Sequence, residues 1–533
     1  MISTLDIAII LIYLFFMLGF GFFLGRTNKN QDDYFLANRS MPWIPVALSI
    51  AATLFSANGI VGGPGWAYQD GLKPFMLNIT VPLAVFLSMW ITTPVLYHLR
   101  VVSVYEFMEL RLGKKTRLLT IMQFLINSFI QASSMIYIPS MIIEMITGWP
   151  IQYIAIFVVI VAIIFTLIGG IKAVIWTDSI QIFVIIGGVS LIIYTALQGI
   201  GIPLSEIFTL AKNHGKLNAF DFSTDLTKAN TFWATLFGAS FMWIRYLCFD
   251  QSQVQKILSS RSIHNTKSSL ITSAIIMNTV YFLMLTVGIV LFVFYQGKPF
   301  PNANQIVLNF IFDKLPTGIT GLVIAGIIVE AITSAESLLN SMTAVFTKDI
   351  YYYYFKKDSD ETSLRVAQLM AFVLGIVMIL FVILGFSKST SSLLNIVGGY
   401  ISYFSGPAAG AFLLAFFTTR ANDSGVAVGA ILSLILVITV QVLCSISWLW
   451  NPAIGALSTL ILGYGLSFCF VSEKKSHDTY PYTAFGIRSK IKAAKAQGQV
   501  QDELPPFTFG KKEAFLLIFF ACQYLFLTFL QYS

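Results

Sequence analysis

Long apolar runs separated by short polar segments make up most of the chain. Each run holds about 20 residues, the length that crosses roughly 30 Å of hydrocarbon as a helix, so each run predicts one transmembrane helix. The runs lie at residues 3–24, 43–68, 74–97, 118–146, 150–170, 174–197, 231–249, 269–295, 318–346, 366–386, 389–418, 425–446, 451–471 and 513–532. The pattern therefore predicts an all-α integral membrane protein with about 14 transmembrane helices.

The second apolar run is interrupted near its middle, where four glycines and Pro64 fall within positions 59–65. Glycine costs backbone entropy and proline removes an N–H donor, so the helix is predicted to unwind between residues 56 and 65. At that depth, unwound backbone is tolerated where it is buried in protein or lines a cavity. The alternative is a simple proline kink that neighbouring helices satisfy.

The ninth run, between Gly318 and Ile350, carries carboxylates, hydroxyls and an amide, and its first basic residue is Lys348. An ionised group near the bilayer centre costs about 2.5–3.5 kcal/mol on insertion scales, so such groups are expected to face a partner inside the bundle. At 100° per residue, one helix face carries Glu330, Thr333, Ser334, Ser337 and Ser341, with Glu336 and Asn340 on its flank. Oxygen ligands without a basic neighbour favour a bound cation, although hydroxyls in membrane helices also bond the carbonyl one turn back.

Asp178 lies about one turn inside the sixth run, next to Trp176. A structural role is open, because an aspartate at a helix start caps free amides and a tryptophan anchors the membrane interface. A functional role is suggested by its combination with the interrupted second run and the oxygen-rich ninth run.

Composition agrees with a membrane protein, since 56% of the 533 residues are hydrophobic, 11% are charged and the mean hydropathy is +0.78. With the N-terminus outside, the inner loops hold 25 of the 33 Lys and Arg residues and the outer loops hold seven. Basic residues accumulate in cytoplasmic loops, so this orientation is predicted, in the plasma membrane or in the inner membrane of a bacterium. The net charge of +8 then reflects topology and contact with the inner leaflet, and we expect no nucleic-acid partner.

The sequence does not support an ATP-driven pump, which would need a nucleotide-binding domain. The hydrophilic stretches 198–230, 347–365 and 472–512 are shorter than a domain, and the fragment 113–116 lacks the spacing of a phosphate-binding loop. The four cysteines lie inside apolar runs and show no spacing of a disulfide framework or metal site. We therefore expect no enzyme, no cofactor and no obligatory protein partner, only a small-molecule substrate, a coupling ion and the lipid bilayer.

Four motifs resemble those of the solute:sodium symporter family, and the similarity extends from about Leu5 to Phe417. The motifs are Arg39-Ser40-Met41-Pro42-Trp43, the segment Gly169 to Asp178, Asp250-Gln251-Ser252-Gln253-Val254-Gln255, and Thr333-Ser334-Ala335-Glu336-Ser337 followed by Leu339-Asn340-Ser341. The resemblance implies a leucine-transporter-like core of two inverted five-helix repeats with alternating access. It divides the chain into a first helix and inner loop at 1–40, a first repeat at 41–197, an outer loop at 198–230, a second repeat at 231–420, and three peripheral helices at 421–533 that include the basic inner loop 472–512.

The resemblance also implies sodium ligands at particular positions. A first sodium site would use the carbonyls of Ala52, Phe55 and Glu330 and the hydroxyls of Thr333 and Ser334. A second site, present in some relatives, would use Asp178, Glu336 and Ser337. One or two sodium ions are thus expected, with two favoured, and a proton shared with Glu330 or Glu336 is the competing interpretation.

Substrate residues are expected around the broken helix and the facing helices. The candidates are Ser56, Asn58, Asn78, Gln131, Trp243, Arg245 and Tyr246. Arg245 would either clamp a substrate carboxylate or pair with a carboxylate of the bundle. The resemblance is greatest to the branch of multivitamin, monocarboxylate, iodide and bacterial sialic acid carriers, although the fourth-run arginine of sialic acid carriers is missing and Asn78 replaces a glutamate of sugar carriers.

The sequence therefore predicts a sodium-coupled symporter that imports a small organic anion, such as a sugar acid or a monocarboxylate. The alternatives are a proton-coupled carrier, a carrier of a neutral solute such as a sugar, polyol or amino acid, and a channel or sensor on the same fold.

Overall fold

The computed structural model describes residues 2–26, 36–54, 58–101, 103–355, 360–385, 392–471, 476–499 and 503–532. Its first ten helices are α1 (Thr4–Gly25), α2 (Trp43–Leu54), α3 (Gly63–Asp70), α4 (Lys73–Leu99), α5 (Val104–Arg111), α6 (Lys114–Thr147), α7 (Ile151–Ile200), α8 (Leu204–Asn213), α9 (Phe232–Phe249) and α10 (Gln251–Leu258). The others are α11 (Ile263–Phe294), α12 (Gln305–Lys314), α13 (Ile319–Phe355), α14 (Asp360–Gly385), α15 (Leu393–Phe417), α16 (Asp423–Cys444), α17 (Asn451–Leu466), α18 (Ala484–Ala496) and α19 (Lys511–Tyr532). The described residues form no sheet, only an isolated bridge between Met41 and Ser260.

Among the described residues, 12 helices are long and apolar enough to cross a membrane, or 13 if the bent pair α2 and α3 is one span. The all-α prediction is confirmed, but the count of 14 is not. The difference lies in the fifth apolar run, where the apolar helix Ile151–Thr166 is too short to span alone. It ends near Gly170, whose φ of 67° and ψ of 175° turn the chain into the second part of α7, a conformation that glycine adopts at little cost.

The predicted interruption of the second run separates α2 from α3, which meet at an angle of 51°. The predicted unwinding up to residue 65 is wrong, because residues 58–65 form a π-helical turn, Asn58–Gly62, followed by the start of α3. Residues 55–57 lie outside the described part of the chain. The glycines permit close backbone contact, because a Cβ on Gly65 would lie 2.4 Å from the carbonyl oxygen of Ala303. The break is therefore held by tight packing of α3 on its neighbours.

Helix α13 forms the centre of the bundle. In its most apolar stretch of 18 residues, 94% of the residues are buried. The corresponding fraction is 11% in α1 and 22% in both α14 and α19, which face the lipid. Helix α13 packs against α6 and α7, while α2 packs against α7 and α11. The polar face predicted on the ninth run therefore lies inside protein.

A charged network fastens the inner end of α13 to α5 and α6. Arg117 Nη2 donates to Asp349 Oδ1 over 2.6 Å, and the Tyr353 hydroxyl donates to Glu109 Oε1 over 2.6 Å. Burial raises the pKa of Glu109, but hydrogen bonds from Tyr353 and Arg117 outweigh that effect and hold this pKa below its usual value. The network lies at the side of the molecule that the loop charges assign to the cytoplasm.

Candidate transport site

A cavity of about 90 Å³ lies in the bundle between the turn before α3 and helices α4, α6, α9, α11 and α15. Its lining comprises Asn58, Gly59, Leu77, Asn78, Gln131, Met242, Trp243, Arg245, Tyr246, Tyr281, Leu394, Val397, Gly398, Ile401, Ser405 and Trp448. Six of the seven substrate candidates border this one cavity. The seventh, Ser56, lies outside the described residues.

Aromatic rings form much of the cavity wall. Trp243 Nε1 donates to the carbonyl oxygen of Leu77 over 2.7 Å, and Trp448 Nε1 donates to Asn395 Oδ1 over 2.7 Å. The rings of Trp243 and Tyr246 meet edge to face, with their centroids 5.9 Å apart. Because the indole N–H groups bond within the protein, both tryptophans offer a ligand apolar ring surface.

Arg245 and Asn58 are two of the polar residues that border the cavity. Arg245 Nη2 pairs with Asp250 Oδ2 over 2.6 Å, so the predicted pairing with a bundle carboxylate occurs while the side chain also borders the cavity. Asn58 Nδ2 donates to Ser134 Oγ over 2.6 Å, whereas its buried Oδ1 has no hydrogen-bond partner among the described residues. The cavity thus contains an unused acceptor at the broken helix.

A second buried polar region, here called the acid–lysine cluster, consists of Asp178, Lys256, Glu330 and Glu336, each at most 2% exposed. Lys256 Nζ donates to Asp178 Oδ2 over 2.8 Å. Two expectations from the sequence are wrong here. The count of inner-loop charges includes Lys256, but this residue lies in α10, which is buried along its whole length. The carboxylates also have a basic neighbour, because Lys256 pairs with Asp178.

One turn of α13 carries three of the five oxygen atoms expected at the first sodium site. Ser334 Oγ donates to Glu330 Oε1 over 2.9 Å, and Thr333 Oγ1 donates to the Glu330 carbonyl oxygen over 3.3 Å. Glu330 Oε2 is buried and has no hydrogen-bond partner among the described residues. Ala52 is buried in α2, and Phe55 lies outside the described residues. An unused carboxylate oxygen beside two hydroxyls suits a hard cation, so this turn fits sodium.

The three residues expected at a second sodium site face different partners. Asp178 Oδ2 accepts hydrogen bonds from Ser49 Oγ over 2.6 Å and from Lys256. Glu336 borders a separate small cavity that Leu18 and Phe22 of α1 help to line. The carbonyl oxygen of Ser337 accepts a hydrogen bond from Ser341 Oγ over 3.0 Å. This set fits a second sodium ion poorly, because an ammonium group already bonds its aspartate.

The family model of the sodium:solute symporter family matches residues 34–433, about three quarters of the chain. The chain belongs to this family. This symporter is 29% identical to the sodium-dependent multivitamin transporter of Oryctolagus cuniculus, over 81% of this chain and 70% of the relative. It is also 29% identical to the sodium/sialic acid symporter SiaT of Proteus mirabilis, over 86% and 94% of the two chains.

A solved structure of a Na⁺-coupled sialic acid symporter, in a substrate-bound outward-open state, superimposes on this symporter with a TM-score of 0.81. The two chains are 28% identical, and the match covers 89% of this chain and 99% of the other. The predicted leucine-transporter-like architecture of this multi-pass membrane symporter is thereby confirmed.

The sequence did not indicate three residues at the two polar regions of this symporter: Lys256, Tyr281 and Trp448. Trp448 belongs to the turn between α16 and α17, outside the predicted ten-helix core, yet its ring would lie 2.6 Å from a Cβ on Gly398. Only its tertiary contacts place it at the cavity. Lys256 directly follows the motif Asp250 to Gln255, which was the one signal available for it.

Proposed function

We propose that this symporter imports a small organic anion together with sodium by alternating access, across the plasma membrane and with its N-terminus outside. The observation that carries the proposal is the position of the broken helix between two polar regions. Ser49 and Thr53 of α2 bond to the acid–lysine cluster, and Asn58 of the following turn borders the cavity. A movement of this segment would therefore change contacts in both the acid–lysine cluster and the cavity.

The coupling ion is assigned to the α13 turn. Glu330 supplies an unused carboxylate oxygen there, and Thr333 and Ser334 supply hydroxyl oxygens. A sodium ion bound at this turn would offset buried negative charge, which is costly when unpaired. The free energy of the sodium gradient is then available to the substrate, at about 1.4 kcal/mol for each tenfold gradient.

The cavity lining favours an organic anion with a large apolar surface. Trp243 and Trp448 present ring faces, and aliphatic side chains of α15 complete much of the wall. Arg245 has five N–H donors, of which Asp250 engages Nη2, and a carboxylate is the natural acceptor for the others. Amide and hydroxyl groups border the same cavity, among them those of Asn78, Gln131 and Ser405, so a sugar acid and a monocarboxylate are both candidate substrates.

A screen of organic acids tests this proposal. Purified symporter is heated with each acid, with and without sodium, because a ligand that binds only the folded state raises its thermal stability. Acids that stabilise the protein only with sodium are then tested for uptake into proteoliposomes. We expect sodium-dependent uptake of at least one monocarboxylate or sugar acid. Uptake that is independent of sodium for every acid would refute the proposal.

Proton coupling is a second candidate, favoured by Glu336. Its buried Oε2 has no hydrogen-bond partner among the described residues, and its small cavity is mostly apolar. A carboxyl group in such surroundings is a reasonable proton carrier. Substrate uptake driven by a pH gradient in sodium-free buffer, and lost in Glu336→Gln, would support this alternative, whereas a requirement for sodium in both proteins would exclude it.

A further inference from the structure

We infer that the ammonium group of Lys256 acts as a built-in cation beside Asp178, where a second sodium ion would otherwise bind, so that one sodium ion accompanies each substrate. This inference rests on the proposed sodium coupling. The two ideas are separable, because coupling concerns whether sodium binds and the inference concerns how many ions bind.

The surroundings of Lys256 leave it no unused donor. The side chain is 0% exposed, and its Nζ donates to Asp178 Oδ2 over 2.8 Å, to the Ser49 carbonyl oxygen over 3.3 Å, and to Thr53 Oγ1. A lysine ammonium has three N–H groups, and three acceptors surround it here. All three N–H groups are therefore engaged, and the side chain of α10 bonds to two other helices, α2 and α7.

A sodium ion would compete poorly for Asp178 in these surroundings. Asp178 Oδ2 already accepts from Lys256 Nζ and from Ser49 Oγ over 2.6 Å. An added ion would lie close to the ammonium charge in a buried, low-dielectric region, where like charges repel strongly. Lys256 is covalently attached, so it balances the charge of Asp178 in every cycle without being transported.

The α13 turn differs from the surroundings of Asp178 because it has a carboxylate oxygen without a hydrogen bond. Glu330 Oε2 is buried and has no hydrogen-bond partner among the described residues, so this carboxylate keeps a free acceptor. Lys256 donates its hydrogen bonds to α2 and α7, and it acts on Glu330 only through its charge. The turn can bind one sodium ion while the ammonium group serves Asp178.

One ion for each substrate has a measurable electrical consequence. A single sodium ion carried with a monovalent anion moves no net charge, so the membrane potential should neither drive nor oppose uptake. Two sodium ions with the same anion would move one positive charge, and uptake would rise as the inside becomes negative. Removal of Lys256 should therefore change uptake from independent of the membrane potential to dependent on it.

Equilibrium binding of radioactive sodium to the purified full-length symporter tests the inference without any substrate. We expect wild-type protein to bind about one ion per chain, and Lys256→Ala to bind about two because Asp178 becomes available. Lys256→Arg, which keeps the charge, should bind about one, and so should the double variant Asp178→Asn with Lys256→Ala. A wild-type value of about two, or a folded Lys256→Ala protein that still binds about one, would overturn the inference.

The matched control is a second buried pair, Lys267 and Glu513, whose charged atoms lie 2.6 Å apart between α11 and α19. Replacing both partners, as Lys267→Met with Glu513→Gln, should leave sodium binding at about one ion per chain. If Lys256→Ala fails to fold, Lys256→Met, which removes the charge and keeps most of the side-chain volume, takes its place and should likewise bind about two ions per chain. Absence of sodium binding to wild-type protein would instead refute the proposed sodium coupling.

Discussion

The two buried polar regions of this symporter differ in the kind of polarity that they contain. The cavity has amides, hydroxyls, aromatic rings and one arginine that already pairs with Asp250. The acid–lysine cluster has three carboxylates and a single ammonium group. Neutral groups and ring faces discriminate ligands by shape and hydrogen bonding, whereas an excess of buried carboxylates is neutralised by a bound cation or by a proton. On this difference we base the proposal that the cavity selects the substrate and the cluster binds the coupling ion.

The broken helix explains how two regions of such different character can act together. Ser49 of α2 donates to Asp178 Oδ2, while the turn that follows the break carries Asn58 to the cavity. Backbone at the break approaches its neighbours closely, as Gly65 and the carbonyl oxygen of Ala303 illustrate. Variants that affect one region and spare the other are the sharpest way to test the division of roles.

The largest effect is expected from Glu330→Gln. Loss of a buried countercharge costs about 3–5 kcal/mol, so the sodium concentration needed for half-maximal uptake should rise by roughly a hundredfold or more. Ser334→Ala removes one oxygen ligand and should raise the sodium concentration needed for half-maximal uptake by about tenfold. Uptake measured against sodium concentration checks both values. A wild-type sodium response in Glu330→Gln would move the ion site elsewhere.

Trp448→Ala should have a smaller effect, on substrate affinity and not on sodium binding. Loss of a large ring from a binding cavity typically costs about 2 kcal/mol, so substrate affinity should fall by roughly 30-fold. Sodium binding in the absence of substrate should stay unchanged, and Trp448→Phe should retain most of the affinity. If Trp448→Ala weakened substrate-free sodium binding as much as substrate binding, the separation of the two regions would fail.

Two adjacent glycines of α15 allow a finer comparison. A Cβ on Gly398 would lie 2.6 Å from the Trp448 ring, whereas the nearest atom to a Cβ on Gly399 would be 3.9 Å away. Gly398→Ala should therefore displace the ring and weaken substrate binding several-fold, while Gly399→Ala should have little effect. Substrate titrations of both purified variants measure the difference. Equal losses in the two variants would indicate a general disturbance of α15.

The smallest effect is expected from the charged network of Glu109 and Arg117 at the inner end of α13, which stabilises the fold and does not bind the ion. Folding lowers the pKa of Glu109 from its usual 4.5, so its contribution to stability is present above that value and is lost as pH falls through the lower folded pKa. Wild-type protein should be slightly more stable to heat than Glu109→Gln at neutral pH, and the two should converge in acid. Sodium binding should be the same in both. A stability difference that grows in acid would contradict the assigned ion pairs.

The sequence predicted the helical class, the break in the second run and six residues that share the cavity, because these depend on apolar length, glycine and proline positions, and family motifs. It missed Lys256 because the eight-residue α10 is too short and too polar to resemble a buried helix. Its partner Asp178 is 78 positions away in the chain. Trp448 was missed for the same reason, since only the fold brings the turn between α16 and α17 onto Gly398.

The central claim is that one sodium ion bound in the cluster increases substrate affinity in the cavity. The most direct test is the substrate dissociation constant of purified wild-type protein, measured over a range of sodium concentrations below saturation. By linkage, the logarithm of this constant should fall with the logarithm of sodium concentration with a slope of about one. A slope near zero would contradict coupling between the two regions, and a slope of about two would contradict the role of Lys256 as the second cation.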